Sequence, residues 1–163
     1  MATANETPLA DQPEPLMIAR TFAVPRKLVF RAWSSAEHVK QWFCPSGYSV
    51  PQAKVEFRVG GVFEVCMRSP QGQEHWTRGS FKEIVPETRL VIDMMVPGPD
   101  ARTLFRATTI VNFADIAGAT RMDVTQRYTL YDPQATPMVQ GAPQGWAQTL
   151  DRLAQALVGM PVA

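Results

Sequence analysis

The chain has 163 residues, a formal net charge of +1 and two cysteines. This length suits one domain with a core large enough to fold alone, which we place at residues 15–160. A near-neutral charge without a basic cluster argues against nucleic acid as a partner. Cys44 and Cys66 stand far apart without a partner pattern, so we expect free thiols and a cytoplasmic location.

Residues 1–14 are predicted to form a disordered tail, because prolines and acidic residues interrupt any apolar run. A signal peptide needs a basic start and an apolar stretch, and a membrane helix needs about 20 apolar residues. The segment has neither, so we expect no membrane association.

The body begins with a strand at 16–24, followed by short helices at 26–33 and 36–42. Pro25 suits the first turn of the first helix, and Ser35 is a good N-cap for the second. Alternating apolar and polar residues, broken by turn signals, then predict six antiparallel strands at residues 52–59, 62–69, 74–85, 89–96, 103–114 and 120–130.

The hairpin registers follow from keeping each sheet face chemically uniform, because a shift of one residue turns every side chain to the other face. Around Gly60-Gly61, a three-residue loop with a glycine bulge predicts an apolar face containing Val55, Phe57, Phe63, Val65 and Met67. The opposite face then contains Lys54, Glu56, Arg58 and Glu64.

The two later hairpins follow the same rule. The turn at 86–89 is predicted to pair Phe81 with Met94, Val85 with Leu90 and Lys82 with Asp93. The turn at Ala117-Gly118 is predicted to pair Phe113 with Met122, Val111 with Val124, Ala107 with Tyr128, Phe105 with Leu130 and Thr109 with Gln126.

The last element is predicted to be an amphipathic helix, because Trp146, Leu150, Leu153 and Leu157 fall on one stripe. Pro143 cannot donate a backbone hydrogen bond. We therefore expect an irregular or short helical turn from Pro137, capped by Thr136, and a regular helix at 143–158. Such a helix lying on a curved sheet leaves a cavity between them.

Five segments in this order look familiar: PRKLVFRAW at 25–33, QWFCP at 41–45, EFRVGG at 56–61, GSFKEIVP at 79–86, and Gly145-Trp146 with its leucine stripe. Together they resemble the START-like (SRPBCC) superfamily, in the branch named after the activator of the heat-shock-protein-ninety ATPase. The resemblance runs from about residue 16 to 158. It implies an α+β helix-grip fold, a curved antiparallel sheet of about seven strands with two short N-terminal helices and one long C-terminal helix enclosing a cavity.

Three positions depart from the family pattern. The family usually has two tryptophans and a glycine before the proline, where this chain has Trp42-Phe43-Cys44, and an aspartate at the position of Glu56. We interpret the motif residues as packing and turn residues rather than a catalytic set.

Candidate ligand-binding residues are those predicted to face the cavity: Phe57, Phe63, Val65, His75, Phe81, Met94, Phe105, Thr109, Gln126, Tyr128, Trp146 and Leu150. Inward polar groups such as Thr109, Gln126 and Tyr128 need partners, which a ligand, a buried water or one another can supply. Glu83 shares the strand parity of His75 and Phe81, which would also place it inward.

The sequence predicts no metal, cofactor or catalytic residue. The two histidines, His38 and His75, lack metal-ligand spacing, and there is no nucleophile elbow, phosphate loop or dinucleotide fingerprint.

The leading functional hypothesis is therefore a protein that binds a small apolar or aromatic molecule between sheet and helix. An enzyme of the polyketide cyclase or aromatase type is the first alternative, with His75, Glu83 and Tyr128 moving protons. A co-chaperone or other protein-interaction module using the outer sheet face is the second. A homodimer is left open.

Overall fold

Alternation of apolar and polar residues builds a seven-stranded antiparallel sheet, with one long helix packed across its concave face. The computed structural model describes residues 6–160. In chain order its elements are β1 (Leu16–Phe22), α1 (Arg26–Arg31), α2 (Ala36–Val39), β2 (Ser49–Val55), β3 (Val62–Arg68), β4 (Glu74–Val85), β5 (Arg89–Pro97), β6 (Thr103–Ile116), β7 (Ala119–Leu130), α3 (Ala135–Gln140) and α4 (Ala142–Val158).

The sheet order is β1-β7-β6-β5-β4-β3-β2, so the first strand closes one edge beside the last. This is the predicted helix-grip architecture, which is confirmed. Both N-terminal helices are shorter than predicted, but each begins at the predicted residue. Pro25 precedes α1 as its N-cap, and Ser35 caps α2 by accepting a hydrogen bond from the His38 backbone N–H at 3.2 Å.

The β6–β7 hairpin has the predicted register throughout, including Thr109 opposite Gln126 and Ala107 opposite Tyr128. Its two-residue turn is Ala117-Gly118, and both residues have positive φ, as a tight hairpin turn requires. Most of the apolar face predicted from the three hairpins lies in the core, where Val55, Phe57, Met67 and Phe105 are half-buried, but Val85 is exposed.

The predicted register of the β4–β5 hairpin is wrong. Phe81 pairs with Ile92 rather than Met94, and Val85 pairs with Arg89 rather than Leu90. The register shifts between Phe81 and Glu83, so an extra residue, Lys82, bulges from the strand. Everything after it in β4 is turned to the opposite face. Lys82 still reaches Asp93 diagonally, with Nζ to Oδ2 at 3.7 Å.

The β2–β3 connection is longer than predicted. The strand ends at Val55, which pairs with Phe63, and residues 56–61 form the connection. The two sheet faces nevertheless have the predicted composition. The Glu56 side chain accepts a hydrogen bond from the Val62 backbone N–H at 3.1 Å, which satisfies a donor that the loop leaves without a strand partner.

The C-terminal helix is interrupted where its prolines predict. Gly141 separates the short α3 from α4, so no straight helix spans Pro137 and Pro143. The start differs, because α3 begins at Ala135 and Thr136 is not its N-cap. Leu150, Leu153 and Leu157 of α4 are buried against the sheet.

Edge-to-face aromatic contacts connect the helices to the sheet. Centroids of consecutive rings are 5.3–5.7 Å apart along Phe113, Phe30, Phe57, Phe81, Phe63, Phe43 and Trp146. Trp33 and Trp42 join this aromatic chain through Phe43, and their own centroids are 4.8 Å apart. Such pairs contribute about 0.5–1.5 kcal/mol each beyond the area they bury.

Residues 6–15, most of which composition assigns to a disordered tail, lack regular secondary structure but contact the end of β7. Gln12 uses its side-chain amide as a strand would use its backbone. Its Oε1 accepts from the Leu130 N–H at 2.8 Å, and its Nε2 donates to the Leu130 carbonyl at 3.1 Å. The Leu9 N–H donates to the same carbonyl at 2.8 Å, and Glu6 pairs with Arg106 at 3.3 Å. The first five residues lie outside the described range.

Candidate ligand-binding cleft

A cleft of about 480 Å³ lies between the concave face of the sheet and the region where α3 gives way to α4. Its wall on the helix side includes several small residues near the helix break, among them Gly141, Ala142, Gly145 and Thr149. A Cβ atom added at Gly145 would meet nothing within 4 Å, so the absent side chain contributes open volume. The cleft size is typical of pockets for small organic molecules.

Six of the predicted site residues line this cleft: His75, Met94, Phe105, Gln126, Tyr128 and Trp146. They come from β4, β5, β6, β7 and α4, so the sheet curvature brings together residues distant in sequence. His75 is exposed near the end of its strand, whereas Gln126, Tyr128 and Trp146 are buried.

The other six predicted site residues do not line it: Phe57, Phe63, Val65, Phe81, Thr109 and Leu150. Phe57 is half-buried and the other five are fully buried, and they belong to the packed core. The rings of Phe30 and Phe43, from the N-terminal helical region, contact Phe57 and Phe63 at this end of the sheet. The helices thus fill part of the cavity that the resemblance implies, and the open part lies towards α3.

Five side chains form a hydrogen-bond network at the cleft wall. Gln126 Oε1 accepts from Tyr128 Oη at 2.7 Å and from Trp146 Nε1 at 2.9 Å. Gln126 Nε2 donates to Thr109 Oγ1 at 2.9 Å, and Thr109 Oγ1 donates to Met94 Sδ at 3.4 Å. The inward polar groups therefore bond one another, and Thr109 positions Gln126 from the side away from the cleft.

Burial raises the pKa of Tyr128 to about 12. The phenol is therefore protonated at neutral pH and donates its hydrogen to Gln126. A tyrosine with so high a pKa is a poor general base, because its anion is scarce near neutral pH.

Glu83 is outside the cleft, contrary to the inward orientation that strand parity predicts. The bulge at Lys82 turns it to the outer face, where its carboxylate accepts a hydrogen bond from Arg89 Nε at 2.9 Å. No Asp, Glu, Lys or Arg occurs among the cleft-lining residues that the structure describes. A carboxylate and a histidine do not converge among these described lining residues.

Sequence reasoning missed several lining residues, notably Tyr48, Met67, Met138, Val139 and Thr149. Met67 was on the predicted inward face, and its pairing with His75 places it beside the rim. Met138 and Val139 belong to α3, where the Thr136-Pro137 and Pro143 signals predicted an irregular or short helical turn but not its position over the cleft.

A second cleft, of about 600 Å³, lies on the other side of Tyr128 and Val139. Both residues line both clefts. Residues 11–17 form much of its wall, together with Leu130, Thr136, Gln140 and Pro143. The N-terminal segment thus borders the second cleft, on the far side of Tyr128 and Val139 from the first.

The two cysteines are free and buried. Burial raises the pKa of the Cys44 thiol, against a smaller lowering by Arg152, so the thiolate is disfavoured. Among residues 6–160, no group of three His, Cys, Asp or Glu side chains could hold a metal ion. Within the same range, no helix has the length and hydropathy needed to cross a bilayer.

The sequence matches a known protein family over most of its length. The model of the family described as activator of Hsp90 ATPase homolog 1-like protein matches residues 23–158. The chain belongs to this family. The recognition of a START-like protein in this branch is thereby confirmed. The family fold, a curled sheet with a helix across it, is that of a ligand-binding or interaction domain.

Solved structures agree on the fold. A protein from Rhizobium leguminosarum is 28% identical with a TM-score of 0.78, covering 90% of this chain and 95% of that one. A protein from Nitrosomonas europaea is 24% identical with a TM-score of 0.74, covering 96% and 97%. The activator-homologue protein from Silicibacter pomeroyi is 24% identical with a TM-score of 0.75, covering 89% and 98%. A search of functionally curated proteins finds no match.

Proposed function

We propose that this protein binds a small apolar or aromatic molecule in the 480 Å³ cleft between β4–β7 and the α3–α4 break. The observation that carries the proposal is that this part of the concave face stays open while the rest is packed with side chains. Aromatic and aliphatic walls supply affinity by burying apolar surface, and a few polar groups fix orientation.

The composition of the walls supports binding over catalysis. Phe43, Met94, Phe105 and Trp146 present apolar surface, and Tyr128 and Trp146 direct their polar hydrogens to Gln126. The cyclase or aromatase alternative needed Glu83 in the pocket, and Glu83 is on the outer face.

The interaction-module alternative depends on the outer sheet face. Its charges are largely paired with one another, as in Arg78 with Glu64 at 3.3 Å and Arg58 with Glu56 at 3.6 Å. Exposed pairs of this kind are ordinary for a solvated sheet face.

The experiment is thermal unfolding of the wild type with a panel of neutral aromatic and aliphatic compounds. A compound that binds only the folded state raises the midpoint, by an amount that grows with its concentration. The decisive variant is Gly145→Phe, which places a ring in the open space beside the cleft without an unfavourable φ at that glycine. We expect Gly145→Phe to remain folded and to lose the ligand-induced shift.

The matched control is Gly159→Phe, at the C-cap of α4 and away from the cleft, where an added Cβ meets only the Ala156 carbonyl oxygen at 3.9 Å. This variant should keep the full shift. A shift that survives in Gly145→Phe would place the ligand elsewhere, and no shift with any compound in the wild type would overturn the proposal.

A further inference from the structure

The buried hydrogen-bonding groups of the cleft restrict the chemistry of a ligand more than its apolar walls do. Four lining side chains are both buried and polar: Gln126, Tyr128, Trp146 and Thr149. Tyr128 and Trp146 each donate to Gln126 Oε1, and Thr149 Oγ1 donates to the Gly145 carbonyl at 2.8 Å. The hydrogens of these three side chains are therefore used within the protein.

Gln126 is different, because its amide nitrogen carries two hydrogens. One is donated to Thr109 Oγ1, and the second has no acceptor among the described residues. The amide oxygen already accepts two hydrogen bonds, which is its full capacity. A buried donor without an acceptor costs free energy, so this N–H favours a ligand that supplies an acceptor.

The lining also restricts the charge of the ligand. Its titratable side chains in the described structure are Tyr48, His75 and Tyr128, with no carboxylate, ammonium or guanidinium. The nearby Arg152 is not in the lining, and its Nη1 donates to the Tyr48 backbone carbonyl at 3.0 Å. An ionised ligand would lose hydration in this cleft without gaining a partner of opposite charge.

We propose that the ligand is an uncharged aromatic compound with a carbonyl or equivalent acceptor, and that this acceptor takes the free N–H of Gln126. The inference rests on the proposed function and narrows its ligand class. Aromatic rings of the ligand would contact Phe105 and Trp146, while the acceptor points to β7. The Gln126 oxygen stays bound to Tyr128 and Trp146, so the ligand needs no donor at this position.

The test compares three probes with the same ring system: 2-acetylnaphthalene, which is neutral with an acceptor; 2-ethylnaphthalene, which is neutral without one; and 2-naphthoate, which is an anion. Dissociation constants are measured by calorimetric titration of the wild-type protein. We expect the ketone to bind about three- to tenfold more tightly than the ethyl compound, the effect of one neutral hydrogen bond. The anion should bind at least about a hundredfold more weakly than the ketone.

Two variants assign the preference to Gln126. Gln126→Leu removes the donor, and Gln126→Glu removes it while keeping oxygen acceptors for Tyr128 and Trp146. In either variant that remains folded, the ketone and ethyl compounds should bind equally, because the readout is a ratio that does not depend on overall stability. Gln155→Leu, at an exposed position of α4, should keep the wild-type ratio.

The outcomes separate the two proposals. Equal binding of ketone and ethyl compound by the wild type, or binding of 2-naphthoate as tight as that of the ketone, overturns the inference and leaves cleft binding intact. A preference that persists in both Gln126 variants also overturns it. No binding of any probe overturns the proposed function and this inference together.

Discussion

Gln126 has contacts that its position in the sequence does not reveal. The strand pattern places it inward, and on that basis its removal would be expected to affect binding more than folding. In the structure its side chain bonds three others, Thr109, Tyr128 and Trp146. Replacing it by leucine leaves the Tyr128 hydroxyl and the Trp146 indole N–H buried without their acceptor, so the variant should also lose stability.

Ionisation of Tyr128 makes the free energy of unfolding depend on pH in the alkaline range. Its pKa is raised to about 12 by burial, from an unfolded value of 10.0. The folded state holds this proton more tightly, so the resulting stabilisation is complete below pH 10.0 and is lost as the pH rises towards about 12. Two pKa units correspond to about 2–3 kcal/mol.

The measurement compares the wild type with Tyr128→Phe by urea unfolding at several pH values. The difference in free energy of unfolding between them should be constant up to about pH 9 and change by about 2–3 kcal/mol in disfavour of the wild type by pH 12. A difference that stays constant over this range would show that Tyr128 ionises as an exposed phenol does.

Two glycines should respond oppositely to the same substitution. A Cβ at Gly79 of β4 would overlap the Asp93 carbonyl oxygen and lie 3.2 Å from Met94 Cα, so Gly79→Ala must push β5 away. We expect it to lower the free energy of unfolding by at least about 3 kcal/mol. Gly145→Ala meets nothing and gains helix propensity, which should stabilise by about 0.5–1 kcal/mol. Denaturant unfolding of both variants checks this contrast, and a harmless Gly79→Ala would contradict the close approach of β5.

At the scale of elements, the strands were largely predictable and their irregularities were not. Each hairpin has a period-two pattern that places its apolar residues on one face, and this survives errors of two residues in loop length. A bulge leaves no comparable signal, because Lys82 is as acceptable in a regular strand as in a bulged one. Glu83 and Val85 were placed on the wrong face for this one reason.

The attachment of α4 was predictable for the same reason as the strands, and it can be tested directly. Leu150 and Leu153 are fully buried, so truncating either to alanine should cost about 2–5 kcal/mol of unfolding free energy. Val158→Ala is the control, because that side chain is 86% exposed and should change stability by less than about 0.5 kcal/mol. Equal effects in the buried and exposed variants would mean that the helix is not fixed on the sheet by its leucine stripe.

For the whole molecule, the fold followed from the order of elements, but the extent of the cavity did not. An apolar sheet face has the same sequence pattern whether it contacts a ligand or another side chain. Phe57, Phe63 and Phe81 meet rings from the helices and one another, whereas Met94 and Phe105 border open space. That difference depends on how far α1, α2 and α3 extend over the sheet, which local sequence patterns do not specify.

The N-terminal segment provides a test at this scale. Removing residues 1–14 takes away the contacts of Leu9 and Gln12 with Leu130 and the pair between Glu6 and Arg106. We expect the truncated protein to fold and to lose about 1–3 kcal/mol of stability. Gln12→Ala should reproduce part of this loss, and Gln73→Ala, exposed in the β3–β4 turn, should not. Unchanged stability on truncation would mean that the segment behaves as the disordered tail that composition predicts.

The aromatic chain has a spectroscopic consequence. Trp146 is its terminal ring on the cleft side, and its indole N–H is held by Gln126. Trp33 and Trp42 are fully buried in the helical layer, with their rings in edge contact. A molecule entering the cleft would thus change the emission of Trp146 and of Trp76, which also lines the cleft, while leaving Trp33 and Trp42 in their surroundings. Occupancy can be followed by intrinsic fluorescence without a label, and comparison with Trp146→Phe would separate that signal from the rest of the protein.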